Sequence, residues 1–186
     1  MADATDLSDA LETIFLEQGF RDATYRSLAS RLNCSNRKLY ALAPNKEALF
    51  LKIIGRFFTT VKREGWERAR ADEPLAERIR GYLRVGIRAA ERTGPNFTRD
   101  IAALDSGRAL FDAFQAERIE GLRLLIQEGI DSGEFEGFHA QLVAEVMIQS
   151  ARRLREPDFL AESNLTFAQA LIELSRLVRF GLTRRA

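Results

Sequence analysis

Cysteine and histidine are nearly missing from this chain, with one of each in 186 residues. A single cysteine makes no internal disulfide, which excludes a stapled secreted scaffold. One Cys and one His cannot supply a zinc cage of three or four such ligands within one chain. Long hydrophobic runs are missing too: nothing approaches the ~20 apolar residues of a membrane span. The acidic start (Asp3, Asp6, Asp9) does not have the form of a signal peptide, so a soluble, cytoplasmic protein without membrane contact is expected. Groups for chemistry are also scarce. Asp100 and Asp105 stand five apart and share no helical face for paired acid–base work, and no glycine-rich phosphate loop or nucleophile context occurs. No enzyme, metal site or cofactor is therefore expected. A large excess of one charge is missing as well: 28 Lys+Arg stand against 27 Asp+Glu, a net +1 that by itself points away from nucleic acid.

What is present is an ordinary globular mixture, 46% hydrophobic and 30% charged, long enough for one domain or two small ones with a sizeable core. Split by position, the charge is far from even. Residues 1–19 carry −5 and residues 64–186 carry −2. Residues 20–63 hold ten bases (Arg21, Arg26, Arg31, Arg37, Lys38, Lys46, Lys52, Arg56, Lys62 and Arg63) against Asp22 and Glu47, or +8. Such a block is either a polyanion footprint or a solvated helical face, and charge alone does not decide between them.

Apolar spacing is helical nearly throughout, with no convincing alternating strand. Leu7, Ala10, Leu11, Ile14 and Phe15 follow a Thr5/Asp6 cap and precede a stop at Gly19. Thr24 caps a short helix carrying Leu28, Ala29 and Leu32. Asn33 and Cys34 make a turn, because Asn tolerates the left-handed conformation. Ser35 caps a second short helix with Leu39, Tyr40 and Leu42. Pro44 breaks it, Asn45 caps, and a longer helix runs from Lys46 to about Arg63. After a weak join at Arg70–Pro74, further helices are predicted at about 75–92, 97–105, 107–132, 138–154 and 165–181, with breaks at Thr93–Asn96, Ser132–Gly137 and Arg155–Asn164. The expectation is an all-α protein of about nine helices.

Thr24 to Leu42 is thus a helix, a tight turn and a helix within the most basic part of the chain, the arrangement of a helix-turn-helix. Its second helix opens Ser35-Asn36-Arg37-Lys38, four residues that can all donate hydrogen bonds to DNA. Arg or Lys reads guanine and Asn reads adenine in the major groove. Arg26, on the first motif helix, either meets backbone phosphate or stays solvated. Tyr40 is a phosphate contact or a half-buried aromatic, and Lys46 a phosphate contact or a surface lysine at a helix start. Cys34 reads as a small core residue and His139 as a cap or surface residue.

The run Ala10-Leu11-x-x-Ile14-Phe15-x-x-x-Gly19-Phe20-x-x-Ala23-Thr24-x-x-x-Leu28-Ala29 resembles the first half of the DNA-binding domain of tetracycline-repressor (TetR) family regulators. Cys34-Ser35-x-x-x-Leu39-Tyr40-x-x-x-x-Asn45-Lys46-Glu47-x-Leu49 continues the resemblance without a gap, over residues 7–54. Ile126–Phe135 is similar to a helix ending common in such proteins. The resemblance implies a helix-turn-helix domain over residues 1–64 and a helical ligand-binding and dimerisation domain over 65–186. It implies that Thr24, Tyr40 and Lys46 grip phosphate while Ser35, Asn36, Arg37 and Lys38 contact bases and phosphate.

The chain departs from the pattern where the family often has Gly-Thr (here Arg37-Lys38), a turn Gly (Asn33), His or Tyr (Leu42) and a Phe (Ala43). The first exchange adds two cations and the last removes an aromatic beneath the motif.

The C-terminal helices hold more large apolar residues than a thin bundle needs. Trp66, Tyr82, Phe97, Ile101, Phe111, Phe114 and Leu122 are candidates for a pocket receiving a small apolar or amphipathic effector, or else plain core. The last two helices are apolar beyond one face, and Leu142, Val146, Met147, Ser150, Leu154, Leu171, Ser175 and Val178 are candidates for a homodimer interface. A homodimer predicts a palindromic operator on double-stranded DNA. The function expected is a ligand-responsive homodimeric transcriptional regulator acting as a repressor; its rival is a helical ligand-binding or adaptor protein that no longer reads DNA.

Overall fold

The computed structural model describes residues 4–135 and 139–182; among these, all regular structure is helical. Helix α1 (Ala4–Gln18) turns Leu7, Leu11, Ile14 and Phe15 inward and stops at Gly19, whose φ of +70° is the left-handed conformation that glycine takes without steric penalty. It begins earlier than expected, so Thr5 and Asp6 are helical rather than capping, with Asp6 in the first turn, where the positive end of the helix dipole favours an acid. Helices α2 (Tyr25–Arg31) and α3 (Asn36–Leu42) flank a turn in which Asn33 has φ +46°.

Helix α4 (Lys46–Ala69) starts from Asn45, whose Oδ1 accepts the Ala48 N–H at 2.8 Å. It runs some six residues past the predicted end at Arg63, because Val61, Gly65 and Ala69 keep its buried face continuous. It packs against α1, α5 (Leu75–Glu91) and α7 (Asp105–Asp131), which makes it the central strut. Helix α6 (Pro95–Ala103) joins α5 to α7 and rests on α1, while α8 (Ala140–Leu154) lies on α7 and α10 (Phe167–Leu182) on α5 and α8. His139 caps α8, its Nδ1 accepting the Leu142 N–H at 3.4 Å. The predicted break at Ser132–Gly137 falls partly on residues outside the described ones, as does the start of the helix predicted from residue 138.

The predicted loop at Arg155–Asn164 is instead a helix, α9 (Pro157–Ser163), which brings the described helices to ten rather than nine. Its proline sits at the first turn, where the missing N–H is not needed, and Asn164 ends it with φ +53°. Two residues that read as punctuation of one loop are therefore the start and stop of a helix.

Apolar packing forms two clusters. One runs without interruption from Leu28 and Leu39 of the α2–α3 pair through Phe15, Phe20 and Phe50 to Phe97, Phe111, Phe114 and Phe167. Phe50 is its hub: Phe20 stacks on it at 4.6 Å and Phe15 meets it edge-on at 5.5 Å. Aromatic pairs of this kind add about 0.5–1.5 kcal/mol each beyond their burial. The other gathers Ile79, Tyr82, Leu122, Ile126 and Met147 of α5, α7 and α8. Because the first cluster crosses from the N-terminal helices into the C-terminal ones, a change in one part is felt as packing in the other.

Candidate nucleic-acid interface and internal cavity

The α2–α3 pair is held by its own caps. Thr24 Oγ1 accepts the Ser27 N–H at 3.0 Å, and Ser27 Oγ accepts the Thr24 N–H at 2.9 Å, a reciprocal capping box. Ser35 Oγ accepts the Lys38 N–H at 3.4 Å. In the turn, Cys34 N–H donates to the Ala29 carbonyl at 3.0 Å, and the thiol is half-buried against the core. Beneath the motif, where the expected aromatic is replaced by Ala43, Tyr25 closes the gap. Its hydroxyl donates to the Ala43 carbonyl at 2.9 Å, and its ring meets Tyr40 edge-on at 4.5 Å. Burial, and then the neighbouring Tyr40, push the Tyr25 hydroxyl above the usual tyrosine range, so it stays a donor. Tyr40 itself is 58% exposed.

The fold sorts the ten bases of the +8 segment. Arg56 pairs with Asp9 and Glu12, Lys62 with Glu117 at 2.6 Å, and Arg63 with Glu67 at 2.8 Å. Arg21 lies 3.7 Å from Asp100, and Arg31 donates to Gln18 at 2.7 Å. Lys52 donates to the Leu42 carbonyl at 2.9 Å, and Lys46 to the Arg21 carbonyl at 2.5 Å with its ammonium over the Phe20 ring. Arg26, Arg37 and Lys38 remain exposed and have no acid beside them among the described residues. All three sit on the helix-turn-helix, and exposed Ser35 and Asn36 stand with Arg37 and Lys38 at the start of α3.

A contact that the sequence did not disclose ties α6 to this region. Asp100 is 0% exposed, and its Oδ2 accepts the N–H groups of Phe20 at 2.8 Å and Arg21 at 3.0 Å, in the link between α1 and α2. Gly94 N–H donates to the Leu16 carbonyl at 2.8 Å beside it. The signal was the register: Asp100 falls on the same face of α6 as Phe97, Ile101 and Leu104, where a charge is out of place unless it is paired.

An apolar cavity of about 70 Å³ lies among the C-terminal helices. Of the seven candidates, Tyr82, Phe97, Phe111, Phe114 and Leu122 line it. Trp66 and Ile101 do not: Trp66 stands behind Tyr82, edge-on at 6.4 Å, and Ile101 is packed in the core. The lining also contains Arg118, 7% exposed, whose Nη2 donates to the Tyr82 carbonyl at 3.0 Å. Its guanidinium lies 4.9 Å from the Tyr82 ring centre. Burial pulls its pKa below the ordinary arginine range, and burial pushes that of Tyr82, whose hydroxyl donates to the Arg118 carbonyl at 2.6 Å, above the usual tyrosine range. Arg118 was missed in the sequence although it falls in register with Phe111, Phe114, Leu122 and Leu125 on the buried stripe of α7.

On α8 and α10, Leu142 (63% exposed), Val146 (54%) and Leu177 (72%) present large apolar groups to solvent. Met147 is buried in the molecule's own core, Ser150 and Leu154 are half-buried, Leu171 and Ser175 reach the cavity, and Val178 packs on the second cluster.

No family model and no curated protein sequence matches the chain. Solved structures do match over nearly all of it. A TetR transcriptional regulator from Legionella pneumophila aligns with TM-score 0.71 and 16% identity, covering 99% of both chains. A TetR/AcrR-family regulator from Thermobifida fusca gives 0.68 and 18%, covering 97% of this chain and 98% of its own. The regulator FadR from Bacillus subtilis, solved with stearoyl-CoA, gives 0.68 and 14%, covering 97% and 100%. All three are described as transcriptional regulators. The chain has their fold, an N-terminal helix-turn-helix followed by a helical bundle, as the residue 7–54 resemblance implies. Among the described residues, no helix is long and apolar enough to cross a membrane.

Proposed function

We propose that this chain, folded as TetR-family regulators are, is itself a ligand-responsive transcriptional regulator: a homodimer that represses by binding a palindromic operator and is released by a small apolar or amphipathic effector. The observation that carries the reading is the position of the unpaired cations. Of ten bases in the basic segment, the three without an acid or a carbonyl partner among the described residues are Arg26, Arg37 and Lys38, all on the helix-turn-helix. Residues 1–64 form the reading head and 65–186 the effector and dimer domain. Ser35, Asn36, Arg37 and Lys38 enter the major groove, while Thr24, Arg26, Tyr40 and Lys46 hold the phosphates. Two copies joined through α8 and α10 set the two heads on successive grooves.

Release follows from the α6 connection. Phe97 stands on the cavity wall, and Asp100, one turn further along α6, holds the α1–α2 link. A ligand that presses on Phe97 pushes on α6, and any shift of α6 moves the support of the reading head. The ligand then favours the displaced state by as much as it binds that state more tightly.

Salt dependence tests the DNA reading. With ~8–10 phosphates neutralised per dimer, log affinity falls against log salt with a slope of about −7 to −9. Arg26→Ala weakens binding on all sequences and flattens the slope by about 2, one phosphate per protomer. Lys38→Ala changes the preferred sequence. Duplex binding that ignores salt contradicts the reading.

A further inference from the structure

Among the described residues, one buried side-chain nitrogen or oxygen has no hydrogen-bond partner, and it is Nη1 of Arg118. A guanidinium cannot shed its charge in a protein, so a buried N–H pair left unused is a standing energetic cost that a ligand acceptor would remove. The surroundings are built to receive this group. Gly86 of α5 leaves the space it fills: a Cβ there would stand 2.7 Å from Nη2 and 3.1 Å from Cζ. Gly65 of α4 does the same on the other side, at 3.2 Å from Nη1. Tyr82 fixes the arginine twice, accepting Nη2–H at its carbonyl and donating its hydroxyl to the Arg118 carbonyl. Two glycines and a doubly bonded tyrosine thus hold one cation in the wall of a cavity that is otherwise mostly apolar and aromatic. Among the described residues, no carboxylate pairs with it.

We propose that the effector carries a carboxylate and that Nη1 of Arg118 receives it, with the effector's apolar body against Phe58, Phe114 and Leu122. This rests on the effector-responsive reading above and names the class of effector. A planar carboxylate suits a guanidinium edge, to which it can accept two parallel N–H bonds. The cation–π contacts with Tyr82 and Phe114 hold the guanidinium but leave the Nη1 hydrogens unused, so they do not by themselves account for Arg118 at this place.

The test uses the full chain titrated with hexanoate, octanoate and decanoate, each beside the alcohol of equal length, followed by calorimetry and by the emission of Trp66, the single tryptophan. In the unaltered protein the acid binds more tightly than its alcohol by roughly tenfold to a hundredfold, the range of a hydrogen bond to a charged group. Arg118→Gln abolishes that preference and leaves the alcohol's affinity within about threefold, while Arg118→Lys retains part of it. Should Arg118→Gln fail to fold, the acid–alcohol comparison in the unaltered protein still decides. Equal affinity for acid and alcohol, a preference that survives in Arg118→Gln, or binding of neither series overturns the proposal. Duplex binding by the same preparations separates the two readings. Retained duplex binding without acid preference removes the carboxylate inference alone, whereas acid preference without duplex binding removes the regulator reading alone.

Discussion

Asp100 decides more than its size suggests. It is fully buried and accepts two backbone N–H groups of the α1–α2 link, with Arg21 and Arg99 beside it among the described residues. Removing it leaves Phe20 and Arg21 with unsatisfied donors, each costing about 1–3 kcal/mol. Asp100→Ala therefore loses about 2–5 kcal/mol in urea unfolding and weakens duplex binding, while Asp100→Asn, which keeps an oxygen acceptor, loses clearly less. Equal losses for the two would mean that charge, not hydrogen bonding, is what counts there. Asp100 and Arg118 were both readable as misplaced charges on apolar stripes. What no single sequence discloses is which groups surround them, because those come from other helices.

At the scale of elements, local chemistry made most of the N-terminal third legible. Thr24, Ser35 and Asn45 each cap a helix through the side chain, and Asn33 takes the left-handed turn. The turn therefore tolerates Asn33→Gly within about 0.5 kcal/mol, while Asn33→Val, branched at Cβ and held at φ +46°, loses about 1–2 kcal/mol in a denaturant midpoint. A similar loss for both would show that the Asn side chain, not the backbone, matters. Legibility fell where packing overrode local signals. Helix α4 passes Arg63 because its buried face continues into α5 and α7 territory, and α9 forms between a proline and an asparagine that sequence reasoning assigned to a loop. Ala43 was readable as a missing aromatic, but its replacement by Tyr25 depends on two helices meeting in space.

At the scale of the whole molecule, the account requires two copies. Leu142, Val146 and Leu177 are exposed on α8 and α10, and a helix face this apolar is normally covered. Val146→Glu with Leu177→Glu alters exposed side chains, so helix content stays unchanged, while analytical ultracentrifugation shows a monomer and duplex affinity drops at least tenfold. An unaltered dimer would move the interface elsewhere.

The proposal that the near-neutral total charge conceals a reading head is tested most directly by selecting the purified protein against random duplexes. The account predicts enrichment of a palindrome whose half-site centres lie about 34–36 Å apart, or a multiple of that, as two symmetry-related recognition helices require. Enrichment of no sequence, or of a site without two-fold symmetry, would contradict it.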